Sequence, residues 1–291
     1  MNWARDGRDW PNRGASRFVR VAGRTWHVQV MGEGPVLLLL HGTAASTHSF
    51  RDLARLLMPR FTVVIPDLPG HGFTQRPPDG GMTLPGMAAG VARLLDGLDL
   101  RPALAAGHSA GAAVLVRMAL DRRFAPGRLV ALNGALLPFG GVSGHVAPGL
   151  AKLLFLNPVA PRVFAFLAGE GTVTRMLASM GSRIDRRGVA LYTRLMRDPA
   201  HVESALAMMA HWDLDGLSRE LPELSVPLTL VVGGRDRAIP VEVAEAVRRR
   251  VPSAEVRVMP GLGHLAHEED PGRIAALLTG LAEENQGRAP S

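Results

Sequence analysis

The sequence contains no cysteine, and only one tyrosine occurs among its 291 residues. The absence of cysteine excludes disulfides, thiolate metal sites and cysteine nucleophiles, and it leaves hydroxyl, carboxylate and imidazole groups for any chemistry. No uninterrupted apolar run reaches the length of a membrane-spanning helix, and the first residues lack the apolar stretch of a signal peptide. With 47% hydrophobic residues, the chain is expected to be a globular protein of the cytoplasm.

The charge of the chain is positive, because 33 Lys and Arg residues outnumber 26 Asp and Glu residues for a net charge of +7. Lys152 is the only lysine, and the arginines are scattered along the chain. Scattered arginine is typical of a solvated surface, and peripheral contact with an anionic face of the inner membrane or with an acidic partner is the alternative. No basic stretch is interleaved with aromatic residues, so a nucleic-acid partner is not expected.

Short apolar runs bounded by turn formers predict a series of β-strands. Residues 16–31 alternate in polarity on both sides of a turn, which predicts an opening hairpin. The next runs are typical of strands buried on both faces of a parallel sheet, and they lie at 36–40, 61–65, 103–106, 129–132, 226–232 and 256–259. Helical spacing separates them at 50–58, 82–98, 110–120 and 271–281. This alternation predicts an α/β fold with a mostly parallel central sheet flanked by helices.

The alternation of strands and helices stops between residues 139 and 222. This stretch has helical character, with prolines at 148, 158, 161 and 199 that break it into short helices. We expect a helical cap of residues 139–222, inserted in one core that is built from residues 1–138 and 223–291. Because the insertion follows a strand end, it should lie over the carboxyl ends of the strands, where ligands bind in open α/β sheets.

Residues 107–111, with the sequence Gly-His-Ser-Ala-Gly, match the nucleophile elbow of the α/β-hydrolase fold. The segment lies between a short apolar strand and an alanine-rich helix, which is the context that the motif needs. Its glycines permit a tight turn that holds the serine exposed at a helix N-terminus. Ser109 is therefore the predicted nucleophile. Dehalogenases and epoxide hydrolases of this fold need a carboxylate at that position, so we set them aside.

A serine hydroxyl needs a base, and the base needs an orienting carboxylate. Asp236 and His264 each follow a predicted strand, and together with the serine they occur in the chain order of α/β hydrolases. His267 is a competing base, but it leads into the start of a helix, and we expect it at the surface. Asn133 cannot replace the acid, because a neutral amide does not stabilise an imidazolium.

The negative charge that develops during acyl transfer requires preorganised N–H donors. The backbone N–H of Ala110, directly after the nucleophile, is one predicted donor of this oxyanion hole. The backbone N–H of Thr43, in the turn after the strand at 36–40, is the other. His41 is expected to shape that turn, with direct proton transfer by its imidazole as the alternative.

The predicted substrate pocket combines these turns with apolar side chains of the cap. Methionine and aromatic residues are common in the cap, and they either line an adaptable pocket or pack the cap on the core. We expect substrate contacts from His41, His108, Phe139, Met208 and Trp212. No histidine pair at metal-ligand spacing and no phosphate-cradling loop occurs, so neither a metal nor a cofactor is predicted.

The sequence resembles the α/β-hydrolase superfamily throughout and, more narrowly, the magnesium chelatase accessory proteins of bacteriochlorophyll biosynthesis. The narrower resemblance covers nearly the whole chain. It rests on WARD at 3–6, DWP at 9–11, LNGALLPF at 132–139, MMAHWDL at 208–214 and GLGHLAHEE at 261–269. One departure is Ala44, where we expect glycine; the added methyl group would narrow the oxyanion turn.

This resemblance implies a role in the pathway step at which magnesium is inserted into protoporphyrin. It does not imply which reaction, if any, the protein itself catalyses. Two hypotheses follow. The first is a serine hydrolase that acts on an ester of a bulky apolar substrate such as a tetrapyrrole. The second is a non-catalytic protein that binds the porphyrin or assists the chelatase, with the triad idle. Magnesium chelatase subunits and a small apolar ligand are the expected partners.

Overall fold

The computed structural model describes residues 1–77, 81–138, 157 and 159–286. Within these residues the strands are β1 (Ser16–Val21), β2 (Arg24–Met31), β3 (Val36–Leu40), β4 (Thr62–Pro66), β5 (Leu104–His108), β6 (Arg128–Leu132), β7 (Leu228–Gly233) and β8 (Glu255–Met259). They form one sheet in the order β1-β2-β4-β3-β5-β6-β7-β8. The pairs β1–β2 and β2–β4 are antiparallel, and all the other pairs are parallel.

From β3 to β6 the described helices alternate with the strands, as predicted. The helices of the described residues are α1 (Trp3–Asp6), α2 (Arg51–Leu57), α3 (Leu84–Gly97), α4 (Ala110–Leu120), α5 (Ala160–Leu167), α6 (Glu170–Ser179), α7 (Arg186–Met196), α8 (Pro199–Ala210), α9 (Leu214–Glu220), α10 (Val241–Arg250), α11 (Ala266–Glu269) and α12 (Pro271–Gln286). No helix among the described residues has both the length and the apolar character needed to cross a bilayer.

Helices cover both faces of the sheet, which explains the continuous apolar character of the central strands. Successive side chains of a strand point to opposite faces. In β3, Leu38 and Leu40 therefore pack against α3 and α4, whereas Leu37 and Leu39 pack against α2 and α12. The predicted fold class is confirmed, and each of the six parallel-sheet runs lies within two residues of the strand it predicts.

Helices α5 to α9 follow β6 and precede β7, in the stretch that the sequence assigns to the cap. Hydrogen bonds join this stretch to the loops after β7 and β8: the Leu265 N–H donates to Ser182 Oγ at 2.7 Å, and the Arg237 N–H donates to the carbonyl of Met180 at 3.2 Å. Phe139 and the prolines at 148 and 158 lie outside the described residues. The boundaries of the cap stay predictions.

Candidate active site

The loops at the carboxyl ends of five parallel strands place the predicted site residues along one edge of the sheet. Thr43 follows β3, Ser109 follows β5, Asn133 follows β6, Asp236 follows β7 and His264 follows β8. Parallel strands end at the same edge, so these loops meet although their residues are far apart in sequence.

Ser109 sits in a backbone conformation that side chains rarely adopt, with φ of 50° and ψ of −116°. Two glycines make this turn possible, because a Cβ at Gly107 would collide with the backbone of α4 and a Cβ at Gly111 would collide with the carbonyl oxygen of Leu40. The Ser109 N–H donates to the Leu132 carbonyl at 3.0 Å. The serine is thereby fixed between the end of β5 and the start of α4.

A buried carboxylate holds the imidazole of His264. Asp236 Oδ2 lies 2.8 Å from His264 Nδ1, and it also accepts a hydrogen bond from Asn133 Nδ2 at 2.6 Å. Its other oxygen, Oδ1, accepts from the backbone N–H groups of Ala238 at 2.7 Å and Ile239 at 2.9 Å. Because all these bonds fix the carboxylate, the imidazole keeps one orientation, and no described residue forms a hydrogen bond with its Nε2.

Ser109 and His264 line the same cavity. Among the described residues, no hydrogen bond joins the Ser109 hydroxyl to the imidazole of His264 in this structure. Nucleophile–base hydrogen bonds are often long in unliganded enzymes and tighten when substrate binds. The structure thus places the serine and the imidazole at the same cavity, and no hydrogen bond connects the two side chains in the described part of the chain.

The two residues that are predicted to supply the oxyanion donors also line this cavity. Ala110 is the first residue of α4, so its N–H has no acceptor within the helix. Thr43 is in a turn closed by a 3.3 Å hydrogen bond from the Ala45 N–H to the Gly42 carbonyl, and no described residue accepts from the Thr43 N–H. Both residues line the cavity beside Ser109.

His41 lies behind this turn and does not reach the cavity wall. It is fully buried, and its Nε2 accepts a hydrogen bond from the Leu68 N–H at 2.9 Å while Nδ1 donates to the Gly42 carbonyl at 2.8 Å. Burial lowers the pKa of this imidazole, which keeps it neutral as this bonding pattern requires. His41 therefore shapes the turn, and substrate contact by its side chain does not fit this position.

The cavity has a volume of about 350 Å³, at the lower end of the range for ligand pockets. His108 and Trp212 line it, whereas Met208 is fully buried in the core. The helical stretch between β6 and β7 contributes apolar side chains to the lining, which are Met176, Leu177, Met180, Met196, Met209 and Leu214. Phe166, by contrast, is 88% exposed on the outer side of α5.

The described lining of the cavity includes one carboxylate, that of Asp215, which lies outside the proposed triad. Asp215, in the first turn of α9, is an exposed carboxylate at this wall, and no arginine or lysine of the described residues lines the cavity. No cluster of three or more His, Asp or Glu side chains suited to hold a metal ion occurs in the described part of the chain.

The sequence profile of the alpha/beta hydrolase family matches residues 37–277 of this chain. The chain belongs to the alpha/beta hydrolase family. Among solved structures, a thermophilic esterase from Thermogutta terrifontis superposes on this hydrolase-family chain with a TM-score of 0.75, at 22% identity over 93% of this chain and 98% of the esterase. At that identity the likeness shows the fold alone.

Two other relatives are more similar to this chain in sequence. The magnesium-chelatase 30 kDa subunit of Rhodobacter capsulatus is 41% identical over 263 residues, which cover 89% of this chain and 92% of the relative. The pimeloyl-(acyl-carrier protein) methyl ester esterase of Xanthomonas oryzae pv. oryzae is 30% identical over 251 residues, which cover 82% of this chain and 91% of the relative.

The prediction of a surface position for His267 was wrong. Its side chain is buried, and its ring lies 4.5 Å from that of His108, which itself lies 4.8 Å from the ring of His264. His267 Nε2 donates to Ser49 Oγ at 2.8 Å, and burial lowers the pKa of His267 to about 3. Ala266, His267 and Glu268 of the short α11 are all buried beneath the site. The polar residues that follow His267 in sequence therefore did not indicate a surface position.

Sequence reasoning missed a buried polar network beneath the cavity. Glu268 Oε1 accepts hydrogen bonds from Ser49 Oγ and from the Tyr192 hydroxyl, each at 2.8 Å. Arg51 pairs with Glu268 Oε2 and, at 2.7 Å, with Asp185. Residues of this network come from α2, α7 and α11 and the turn before α2, so no local sequence pattern could indicate it.

Proposed function

We propose that this chain is a serine hydrolase that cleaves an ester of a bulky apolar acid, with Ser109 as nucleophile, His264 as base and Asp236 as the acid that orients the base. One observation carries the proposal: a carboxylate-held imidazole and a strained, half-buried serine lie on the wall of the same cavity.

The proposed reaction begins with attack of Ser109 Oγ on the ester carbonyl carbon while His264 Nε2 accepts the serine proton. Asp236 Oδ2 accepts from Nδ1–H and stabilises the imidazolium that forms. The backbone N–H groups of Thr43 and Ala110 bind the oxyanion. The alcohol then leaves with the proton from His264. Water next attacks the acyl-enzyme while His264 accepts a proton from it, and His264 returns this proton to Ser109 Oγ as the acid product is released.

The lining favours an uncharged substrate inside the cavity. Its cap side is built from methionine and leucine, which adapt to the shape of an apolar group. A free carboxylate there would meet the Asp215 carboxylate and no described cation, whereas an ester avoids this repulsion. Hydrolysis would create a carboxylate, so the same feature would favour release of the acid product.

Two relatives support the setting of this reaction. The name of the Rhodobacter capsulatus protein, a magnesium-chelatase subunit, favours action beside magnesium chelatase. Bacteriochlorophyll biosynthesis as the pathway, with a tetrapyrrole ester as the substrate, is the proposal that follows from the sequence resemblance. The name of the Xanthomonas oryzae protein, a methyl ester esterase, favours ester hydrolysis. Location in the cytoplasm, with peripheral contact at the inner membrane, stays a prediction.

Among the described residues, no hydrogen bond joins the Ser109 hydroxyl to the His264 imidazole, and this observation supports a second candidate function. In this alternative, the cavity binds a porphyrin or the chain assists magnesium chelatase as a chaperone, and the serine does no chemistry. The name of the Rhodobacter capsulatus relative fits both candidates equally, because it states an assembly and not a reaction. The two differ in whether the hydroxyl of Ser109 is needed.

The test compares Ser109→Ala with Ser179→Ala, a control at an exposed hydroxyl of α6. For hydrolysis of neutral p-nitrophenyl esters, we expect Ser109→Ala to lower kcat/KM by about 10³-fold or more and Ser179→Ala to change nothing. Bacteriochlorophyll formation in cells that carry each variant, with protein abundance checked, separates the candidates. Loss of pigment with Ser109→Ala supports the hydrolase; full pigment supports the binding protein.

A further inference from the structure

Two side chains of α8 contact the oxyanion turn. The turn comprises residues 42–45, with Thr43 second and Ala44 third. Met208 Sδ of α8 accepts a 3.6 Å hydrogen bond from Thr43 Oγ1, and His201 Nε2 of α8 lies 3.2 Å from the Ala44 carbonyl oxygen. Positions 201 and 208 lie seven residues apart and share one face of the helix. That face therefore contacts both central residues of the turn.

The bonding of His201 fixes its tautomer. The Gly72 N–H donates to His201 Nδ1 at 3.2 Å, so Nδ1 carries a lone pair and Nε2 carries the hydrogen that it donates to the Ala44 carbonyl. The backbone N–H of His201 is itself bound by the side chain of Asp198, the N-cap of α8, at 2.9 Å. His201 is buried, and burial lowers its pKa to about 4, which keeps the imidazole neutral.

Ala44 needs such a holding contact. Its φ of 62° is in the left-handed region, where a turn of this kind favours glycine at the third position. If Ala44 relaxed to a negative φ, the peptide between Thr43 and Ala44 would rotate, and Thr43 would move relative to Ser109. The hydrogen bond from His201 to the Ala44 carbonyl opposes that rotation.

We propose that His201 is a positioning residue of the hydrolase: it holds the oxyanion turn in its left-handed conformation from the cap, so that the Thr43 N–H faces the oxyanion beside Ser109. This inference rests on the proposed function. It makes an ordered cap a condition for efficient hydrolysis, because the cap residue acts on the turn and does not touch the substrate.

The test uses two substitutions that separate the bonds of His201. In His201→Gln, the amide nitrogen occupies the place of Nε2 and still donates to the Ala44 carbonyl. In His201→Asn, the shorter side chain reaches the Gly72 N–H but not that carbonyl. Ser204→Ala is the matched control, because Ser204 is buried on the same face of α8 but packs against Gly70, outside the turn.

With neutral p-nitrophenyl esters, we expect His201→Asn to lower kcat about 10- to 100-fold with KM nearly unchanged, because an oxyanion donor is displaced. His201→Gln and Ser204→Ala should stay close to the wild type. Adding Ala44→Gly to His201→Asn should restore much of kcat, since glycine adopts the left-handed conformation without strain. Equal kcat values for His201→Asn and Ser204→Ala would overturn the proposal.

Hydrogen exchange of the peptide that covers residues 41–46 tests the same role without turnover. His201→Asn should accelerate exchange in this peptide about 5- to 10-fold, the effect of one lost hydrogen bond, and His201→Gln should not. Unchanged exchange in His201→Asn would overturn the positioning role. If the wild type does not hydrolyse esters but exchange at residues 41–46 is faster in His201→Asn and not in His201→Gln, the proposed hydrolase is contradicted. The contact between His201 and the turn would still be supported.

Discussion

The Asp236 carboxylate accepts hydrogen bonds from His264, Asn133 and two backbone N–H groups, so both of its oxygens are engaged. In Asp236→Asn, the amide would present a donor to groups that now donate to oxygen, and His264 would be favoured in the wrong tautomer. We expect kcat for neutral esters to fall about 10³- to 10⁴-fold, with little change in KM.

The control for this substitution is Asp215→Asn, which removes the carboxylate at the cavity wall without touching the His264 imidazole. It should leave kcat for neutral esters nearly unchanged and improve KM for esters that carry a free carboxylate. A loss of kcat that is equal in the two variants would mean that Asp236 does not orient the base.

Residue positions could be predicted from the sequence where a motif follows a strand. Ser109, Asp236 and His264 each follow a predicted strand, and the structure places all three at one edge of the sheet. The bond from Asn133 to Asp236 could not be predicted, because it depends on which strands are neighbours. The same holds for His201, which is 157 residues from Ala44 in the chain.

At the scale of elements, the buried pair of Arg51 and Glu268 joins α2 to α11, and Tyr192 of α7 donates to the same carboxylate. Glu268→Gln would leave the Arg51 guanidinium buried with less compensation, and we expect the free energy of unfolding to fall by about 3–5 kcal/mol. Urea denaturation measures this change.

Two further variants separate the buried charge from simple packing. The double variant Arg51→Met with Glu268→Leu removes both charges, so it should be less destabilised than Glu268→Gln. Tyr192→Phe should cost only about 1 kcal/mol, the effect of one neutral hydrogen bond. A double variant that is less stable than the single one would contradict the account of this network.

The elements themselves were largely predictable, with instructive exceptions. The central strands follow from short apolar runs between turn formers. Helix α12 continues to Gln286, five residues beyond the predicted end, because its last turn is polar and lacks the apolar spacing that predicts a helix. The aromatic residues of the predicted cap were expected to line a pocket or to pack on the core, yet Phe166 lies on the exposed side of α5.

At the scale of the whole molecule, buried imidazoles couple stability to pH. Burial lowers the pKa of six histidines below the usual value of 6.5. They are His41, His48, His71, His108, His201 and His267. A depressed imidazole pKa means that the unfolded chain binds more protons than the folded chain between the two pKa values, so stability falls as pH falls from about 6.5.

We expect the free energy of unfolding to decrease steeply between pH 6.5 and 4, by about 1.4 kcal/mol per pH unit for each fully titrating group. Burial raises the pKa of Glu268 above 4.5, which opposes this trend, but one carboxyl group cannot offset several imidazoles. Urea denaturation at several pH values measures the slope of the free energy of unfolding against pH. His201→Gln removes one titrating group, so it should lower this slope by up to about 1.4 kcal/mol per pH unit. A free energy of unfolding that is constant from pH 7 to pH 4.5 would contradict this account.

The central claim is that Ser109 is an activated nucleophile, and covalent labelling by a fluorophosphonate tests it most directly. Mass spectrometry of the intact chain and of its peptides should show one adduct, on Ser109, which is absent from Ser109→Ala and much slower to form in Asp236→Asn. Folded wild-type protein that acquires no adduct on Ser109 would contradict the claim.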